Sequence, residues 1–267
     1  MKDYITPEWQ HIQKFNDLNG FNDLWELKAD WFEPPNERRG GWSGVARVEL
    51  DLPGGAKEVV FLKRQENHTR RTLRNPIFGE PTFAGEIKNI LLLWQAGVPT
   101  IEPLYYGQRK IEGKWRAILV TRELSGYRPL NVAIGEWEEQ GWGKSVATRR
   151  KLIAALADVI RRMHEKKLVH NALHPKHVFV RLVEGRSPEV ALIDLEKMRR
   201  TISVKRAMLR DLDSLNRRTF VLNNMDRLRF LKSYLNSRKL NSEGRGIWKC
   251  LAQRNHEFQQ KRATNAQ

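Results

Sequence analysis

The spacing of apolar residues changes partway along this chain, and that change limits the folds open to it. In the first half, short runs alternate like half-buried strands. Val45-Ala46-Arg47-Val48-Glu49-Leu50 and Val59-Val60-Phe61-Leu62-Lys63 are separated by Pro53-Gly54-Gly55 and read as a hairpin entered through Gly40, Gly41 and Gly44. Two or three further strands are expected around Leu104-Tyr105-Tyr106 and residues 115–121. A helix over residues 82–95 interrupts them, with Phe83, Ile87, Ile90, Leu91 and Trp94 on one stripe and Gly97-Val98-Pro99 as its stop. In the second half a helical period takes over. Residues 149–167 bring Leu152, Leu156, Val159 and Met163 to one face. Two short apolar strands, Val178-Phe179-Val180 and Val190-Ala191-Leu192-Ile193, follow around a turn at Gly185, and residues 204–249 read as several basic helices.

The organisation expected is α+β. Residues 1–39 form a helical extension, where Trp9, Ile12, Phe15 and Leu18 have helical spacing and residues 32–36 are irregular. Residues 40–125 form a β-rich part that includes a polar loop over 64–81. Residues 126–255 form a mainly helical part, and 256–267 a frayed tail.

Charge adds the sign of the partner. Lys and Arg number 48 against 31 Asp and Glu, a net +17, and such a field concentrates nucleic acid, anionic lipid or phosphorylated molecules. No helix-turn-helix, zinc or RNA-binding motif is visible, so a nucleic-acid reading rests on charge alone. The single cysteine, Cys250, excludes an internal disulfide and a thiolate metal cluster and suits a cytoplasmic protein. No run has the ~20 apolar residues of a membrane span, and the first ten residues do not read as a secretory signal.

The residues that carry chemistry come in an informative order. Gly40, Gly41 and Gly44 permit close backbone approach to phosphate oxygens, or simply a hairpin turn. Lys63 ends an apolar strand, and Glu86 lies on the next helix. His170-Asn171-Ala172-Leu173-His174-Pro175-Lys176-His177 follows a long helix; its histidines do not share a helix face because Pro175 interrupts, which argues against zinc. Asp194 ends a second apolar strand, where a carboxylate is either a turn residue or a magnesium ligand. This is the order of parts in the protein-kinase signature. Val60-Phe61-Leu62-Lys63 stands at V-A-I-K, residues 170–177 at H-R-D-L-x-x-x-N, and residues 192–196 at D-F-G.

The chain also resembles the Kdo/WaaP lipopolysaccharide kinase family, its InaA-type branch most closely. The residues carrying the resemblance are Arg39-Gly40-Gly41-Trp42-Ser43-Gly44-Val45, the run from Lys63 to His68, Pro81-Thr82-Phe83 with Glu86, Gly97-Val98-Pro99, His174-Pro175-Lys176-His177 and Arg210-Asp211-Leu212, within residues 39–215. The resemblance implies a bilobal protein-kinase-like fold with a β-rich N-lobe and a mainly helical C-lobe. It also implies ATP-dependent phosphorylation of lipopolysaccharide core sugars at the cytoplasmic face of the inner membrane. In that reading the glycines cover the phosphates, Lys63 contacts them and is held by Glu86, and Asp194 binds Mg²⁺ with His177 in place of the usual Asn. Asp211 either anchors the catalytic loop or caps a helix. The basic residues after Asp194, with Arg70, Arg71 and Arg74, would draw an anionic glycolipid or phosphorylated sugar acceptor.

One position departs from the pattern. The catalytic-loop Asp is Ala172, and a general base is worth about 10²–10⁴-fold in rate. Either His174 (or His170, Asn171 or Glu196 nearby) takes over its work, or the protein is a nucleotide-binding pseudokinase with a regulatory or scaffolding role.

Overall fold

The computed structural model describes residues 3–38, 40–71, 79–139, 146–183, 186–219 and 222–264. Arg39, Arg74 and the turn expected at Gly185 lie outside them. The chain divides into two compact units, Met1–Leu91 with Ile101–Ser125, and Leu92–Thr100 with Gly126–Gln267.

Alternating strands build the first unit. In chain order its elements are β1 (Tyr4–Ile5), α1 (Pro7–Phe15), α2 (Phe21–Glu26), β2 (Trp31–Arg38), β3 (Gly41–Asp51), β4 (Lys57–Glu66), β5 (Thr69–Arg70), β6 (Glu80–Pro81), most of α3 (Thr82–Gln95, whose residues from Leu92 belong to the second unit), β7 (Pro103–Ile111) and β8 (Lys114–Arg122). Six strands form one antiparallel sheet in the order β1-β7-β8-β4-β3-β2. Ala46, Val48 and Leu50 of β3 and Val60 and Leu62 of β4 turn inward and pack with Ile118 and Val120 of β8. Trp9, Ile12, Phe21 and Leu24 join that core from α1 and α2. Thr6 caps α1 by accepting from the Trp9 amide at 3.1 Å.

Residues 32–36 are not irregular chain, as their prolines suggest, but part of β2, which pairs with β3. Pro34 and Pro35 cannot donate to a ladder, and β2 accommodates them as an edge strand whose register slips between Trp31 and Glu33 and again between Glu33 and Asn36. The glycine turn therefore joins two strands, β2 and β3, where the sequence suggested an entry to one. The polar stretch 64–81 also contains structure, since β4 runs on to Glu66 and β5 pairs with β6.

Helices dominate the second unit. It contains β9 (Arg128–Pro129), α4 (Leu130–Glu139), α5 (Val146–Glu165), β10 (Leu168–Val169), β11 (Val178–Arg181), β12 (Glu189–Leu192), β13 (Arg199–Arg200), α6 (Val204–Arg218), α7 (Asn224–Tyr234) and α8 (Ser242–Thr264). Strands β12-β11-β9 form a small sheet, and β10 pairs with β13. Helix α5 buries Leu152, Leu156, Val159, Ile160 and Met163 and packs against α7, while α6 packs against α8. The expected fraying from residue 256 is not seen, because α8 continues to Thr264. Side-chain bonds one turn apart, Gln253 to Glu257 at 3.0 Å and Gln260 to His256 at 2.9 Å, support its last turns, and Lys261 and Arg262 suit the negative end of the helix dipole. Among the described residues no helix is long and apolar enough to cross a membrane.

Candidate functional site

In the first unit the candidate chemistry lies where β4 meets α3. Lys63 is on β4, opposite Val45 of β3 and Leu119 of β8. Its Nζ donates to Glu86 Oε1 at 2.6 Å, and the Glu86 side chain is only 5 % exposed. A carboxylate this buried needs a counter-charge, so the pair fixes the ammonium position far more firmly than a surface ion pair would.

A lock that the sequence reading did not identify sets the position of α3. Buried Gln65, two residues beyond Lys63, donates through Nε2 to the His68 carbonyl at 2.8 Å. Its Oε1 accepts from the Thr82 hydroxyl at 2.9 Å and from the Phe83 amide at 3.3 Å. Thr82 and Phe83 open α3, so Gln65 fixes the helix that carries Glu86.

The glycines behave as packing residues as well as turn residues. Gly40 has φ +76°. A Cβ on Gly41 would lie 2.0 Å from the Glu66 carbonyl oxygen, and one on Gly44 would lie 2.7 Å from the Trp31 ring. Substitution at either would push β3 off its neighbours.

In the second unit the loop after β10 is pinned from outside. Asp211, fully buried inside α6 rather than at its cap, accepts the His170 amide on Oδ2 at 2.7 Å and the Asn171 amide on Oδ1 at 2.9 Å. His164 on α5 donates from Nε2 to Asp211 Oδ2 at 3.1 Å, and its Nδ1 accepts from the Tyr234 hydroxyl at 2.8 Å. Burial pushes the Tyr234 phenol up, so it stays a donor. Asn171 takes φ +60° and its amide reaches the Lys197 carbonyl at 3.0 Å.

Three imidazoles then stack in a row. The His177 ring lies between those of His170 and His174, with centroids 6.1 and 5.3 Å away and planes within 12° and 8° of parallel. His170 donates from Nε2 to the Ile193 carbonyl at 2.9 Å, and the Ile193 amide donates to the His177 carbonyl at 3.0 Å, so the loop grips the segment leading to Asp194 at both ends of one residue. At the end of β12, Leu192 donates to the Pro99 carbonyl at 3.1 Å and accepts the Thr100 hydroxyl at 2.6 Å. Asp194 adopts left-handed backbone, φ +56°, the kind of local strain that a fold keeps where a side chain must be aimed.

His177 donates from Nδ1 to the Ala172 carbonyl at 2.9 Å, which turns its Nε2 toward Asp194 Oδ2 at 3.1 Å. One carboxylate oxygen and one imidazole nitrogen could supply two ligands to a divalent cation such as magnesium, the imidazole being the weaker donor. Among the described residues no group of three or more His, Cys, Asp or Glu side chains could hold a metal alone.

The His170 ring is buried, and its Nδ1 has no hydrogen-bond partner among the described residues. Burial pushes this imidazole below the ordinary 6.5. Burial, with Arg218 the largest of several neighbouring positive charges, brings His174 down to about 4. Both groups are neutral in the folded state while the unfolded chain takes up protons below about 6.5, so stability is intact above that value and falls as pH falls below it. Urea midpoints should therefore decrease steadily between neutrality and a pH of about 5, where few carboxylates yet titrate. His170→Gln should flatten that slope, and an unchanged slope would mean that the ring titrates normally.

The structure thus places Lys63 and Glu86 in contact in the first unit, and His170, His174, His177 and Asp194 in one cluster of the second. A sheet carrying a Lys–Glu pair to its helix, and a helical unit whose loop is anchored by an interior Asp, define a protein-kinase-like fold. The solved structure described as WaaP in complex with acyl carrier protein shares it, with a TM-score of 0.69 over 97 % of this chain and 99 % of that chain at 20 % identity. At the level of sequence, the profile of the lipopolysaccharide kinase (Kdo/WaaP) family matches residues 22–234. Protein InaA of Escherichia coli (strain K12) is 34 % identical over 200 residues, which is 74 % of this chain and 87 % of that protein. The chain belongs to the lipopolysaccharide kinase (Kdo/WaaP) family.

Proposed function

We propose that the protein is an ATP- and magnesium-dependent kinase acting on a sugar of the lipopolysaccharide core, or a phosphorylated sugar related to it, at the cytoplasmic face of the inner membrane. The observation that carries this reading is the buried Lys63–Glu86 pair at 2.6 Å, because a lysine held in this way on a sheet is how a kinase fold presents a cation to nucleotide phosphates. Gly40, Gly41 and Gly44 are assigned to the phosphate-covering turn, and Asp194 and His177 to the metal. Bound there, Mg²⁺ would neutralise charge on the phosphate oxygens. His174 is assigned the proton-handling work at the acceptor hydroxyl, and His170 positions Asp194 through Ile193.

Ala172 supports a second reading. Its side chain is an alkyl group, buried, where a kinase carries its base, which suits a pseudokinase that binds nucleotide and serves as a regulatory or scaffolding partner. Melting with ATP and magnesium tests what the two readings share. At nucleotide about 100-fold above Kd the gain is roughly 2.7 kcal/mol, or about 5–10 °C for a chain of this size. Transfer of labelled γ-phosphate to core lipopolysaccharide separates them. Asp194→Ala should remove transfer while leaving the fold intact; transfer undiminished in that variant would refute the metal assignment, and a melting point indifferent to nucleotide would refute both readings.

A further inference from the structure

Residues 197–210 carry six cations, Lys197, Arg199, Arg200, Lys205, Arg206 and Arg210, and no carboxylate. All six are exposed. At the centre of the run stands Ile202, at 102 % of its reference exposure, although the burial of Met198 and Met208 shows that the same stretch has a core-facing side.

The apolar tip is held out by ordered structure on both sides. Before it, β13 pairs with β10, Arg200 opposite Leu168 and Arg199 opposite Val169, and the Thr201 amide donates to the Lys167 carbonyl at 2.9 Å. After it, the chain enters α6. Beside the tip, Lys205, Arg206, Arg210 and Arg254 line an open basic cleft. Two acids nearby offset part of the cleft's charge and leave the run from Lys197 to Arg210 strongly cationic. Glu243 pairs with Lys205 at 2.8 Å, and Asp213 in the cleft is taken up by Arg217 at 3.2 Å and Arg254 at 3.7 Å.

We propose that this segment docks the protein on an anionic lipid surface, with Ile202 entering the headgroup region and the surrounding arginines and lysines contacting lipid phosphates. Charge complementarity selects the partner. A fully exposed isoleucine gains nothing from a soluble polyanion and gains burial at a bilayer interface, where basic residues flanking apolar ones are retained. The inference rests on the reading of the acceptor as a membrane glycolipid for its purpose, since docking would hold the segment that follows Asp194 against the surface carrying such an acceptor. Its test does not require turnover.

Sedimentation with phosphatidylglycerol–phosphatidylcholine vesicles provides that test. The wild-type protein should bind these vesicles, bind phosphatidylcholine alone far less, and be released by high salt. Arg199→Ala and Arg200→Ala should each weaken binding about fivefold, and Ile202→Ser about tenfold. Because Ile202 touches little, its variant should melt like the wild type. Binding equal on both vesicle types, or unaffected by all three substitutions, would overturn the proposal. Binding that depends on the arginines but not on Ile202 would overturn it in favour of a soluble polyanion. Nucleotide-dependent melting, measured on the same samples, reports the kinase reading separately, so either can fail while the other stands.

Discussion

Asp211→Ala is expected to cost about 3–5 kcal/mol of folding stability, because it strips the acceptor from the buried His170 amide, the half-buried Asn171 amide and His164 at once. Against a typical total of roughly 5–15 kcal/mol that is a large share, and the melting temperature should fall by about 10 °C or more. Asp211→Asn keeps an acceptor oxygen and the shape but loses the charge, so it should retain part of the stability. Denaturant unfolding of the three proteins measures this directly. A loss under about 1 kcal/mol for the alanine variant would show that water or a local shift satisfies the loop amides without the carboxylate.

Ala172→Asp is the second substitution with a large expected effect, and here the change is a gain. It places a carboxylate at the position where the kinase pattern carries its base, so γ-phosphate transfer should rise by about 10²–10⁴-fold. In the parent, His174→Ala should lower whatever transfer is present, and in the Ala172→Asp background the same change should matter much less. Circular dichroism and melting of each variant guard against a misfolded negative. If Ala172→Asp folds, binds nucleotide and still transfers nothing, the missing carboxylate is not what limits the chain, and the pseudokinase reading gains.

Much of the scaffold could be read from local pattern. The stripe through Phe83, Ile87 and Ile90 and the stop at Gly97 predict a helix over 82–95, and α3 has those bounds, since periodicity and breaker residues act over short range. The kinase-like order was legible for the same reason, since Lys63 lies in a short apolar strand, Glu86 on an amphipathic helix and Asp194 just beyond an apolar strand. Edge strand β2 was not legible, because Pro34 and Pro35 read as loop and only pairing with β3 makes them extended. Nor were the locks. Gln65 meets Thr82 across seventeen positions, His164 meets Asp211 across forty-seven and Tyr234 across seventy, and no local period connects residues so far apart. A buried Gln or His in an amphipathic segment is the one trace such partners leave, and it names no partner.

The hold that Asp211 keeps on His170 and Asn171 has a consequence for how this protein can change. The conformation of the loop is written in α6, some forty residues downstream, while its reactivity is written in its own letters. Shape and reactivity are therefore set by different residues: Asp211 holds the loop by the amides of His170 and Asn171, so a substitution of the side chain at position 172 leaves those two bonds in place.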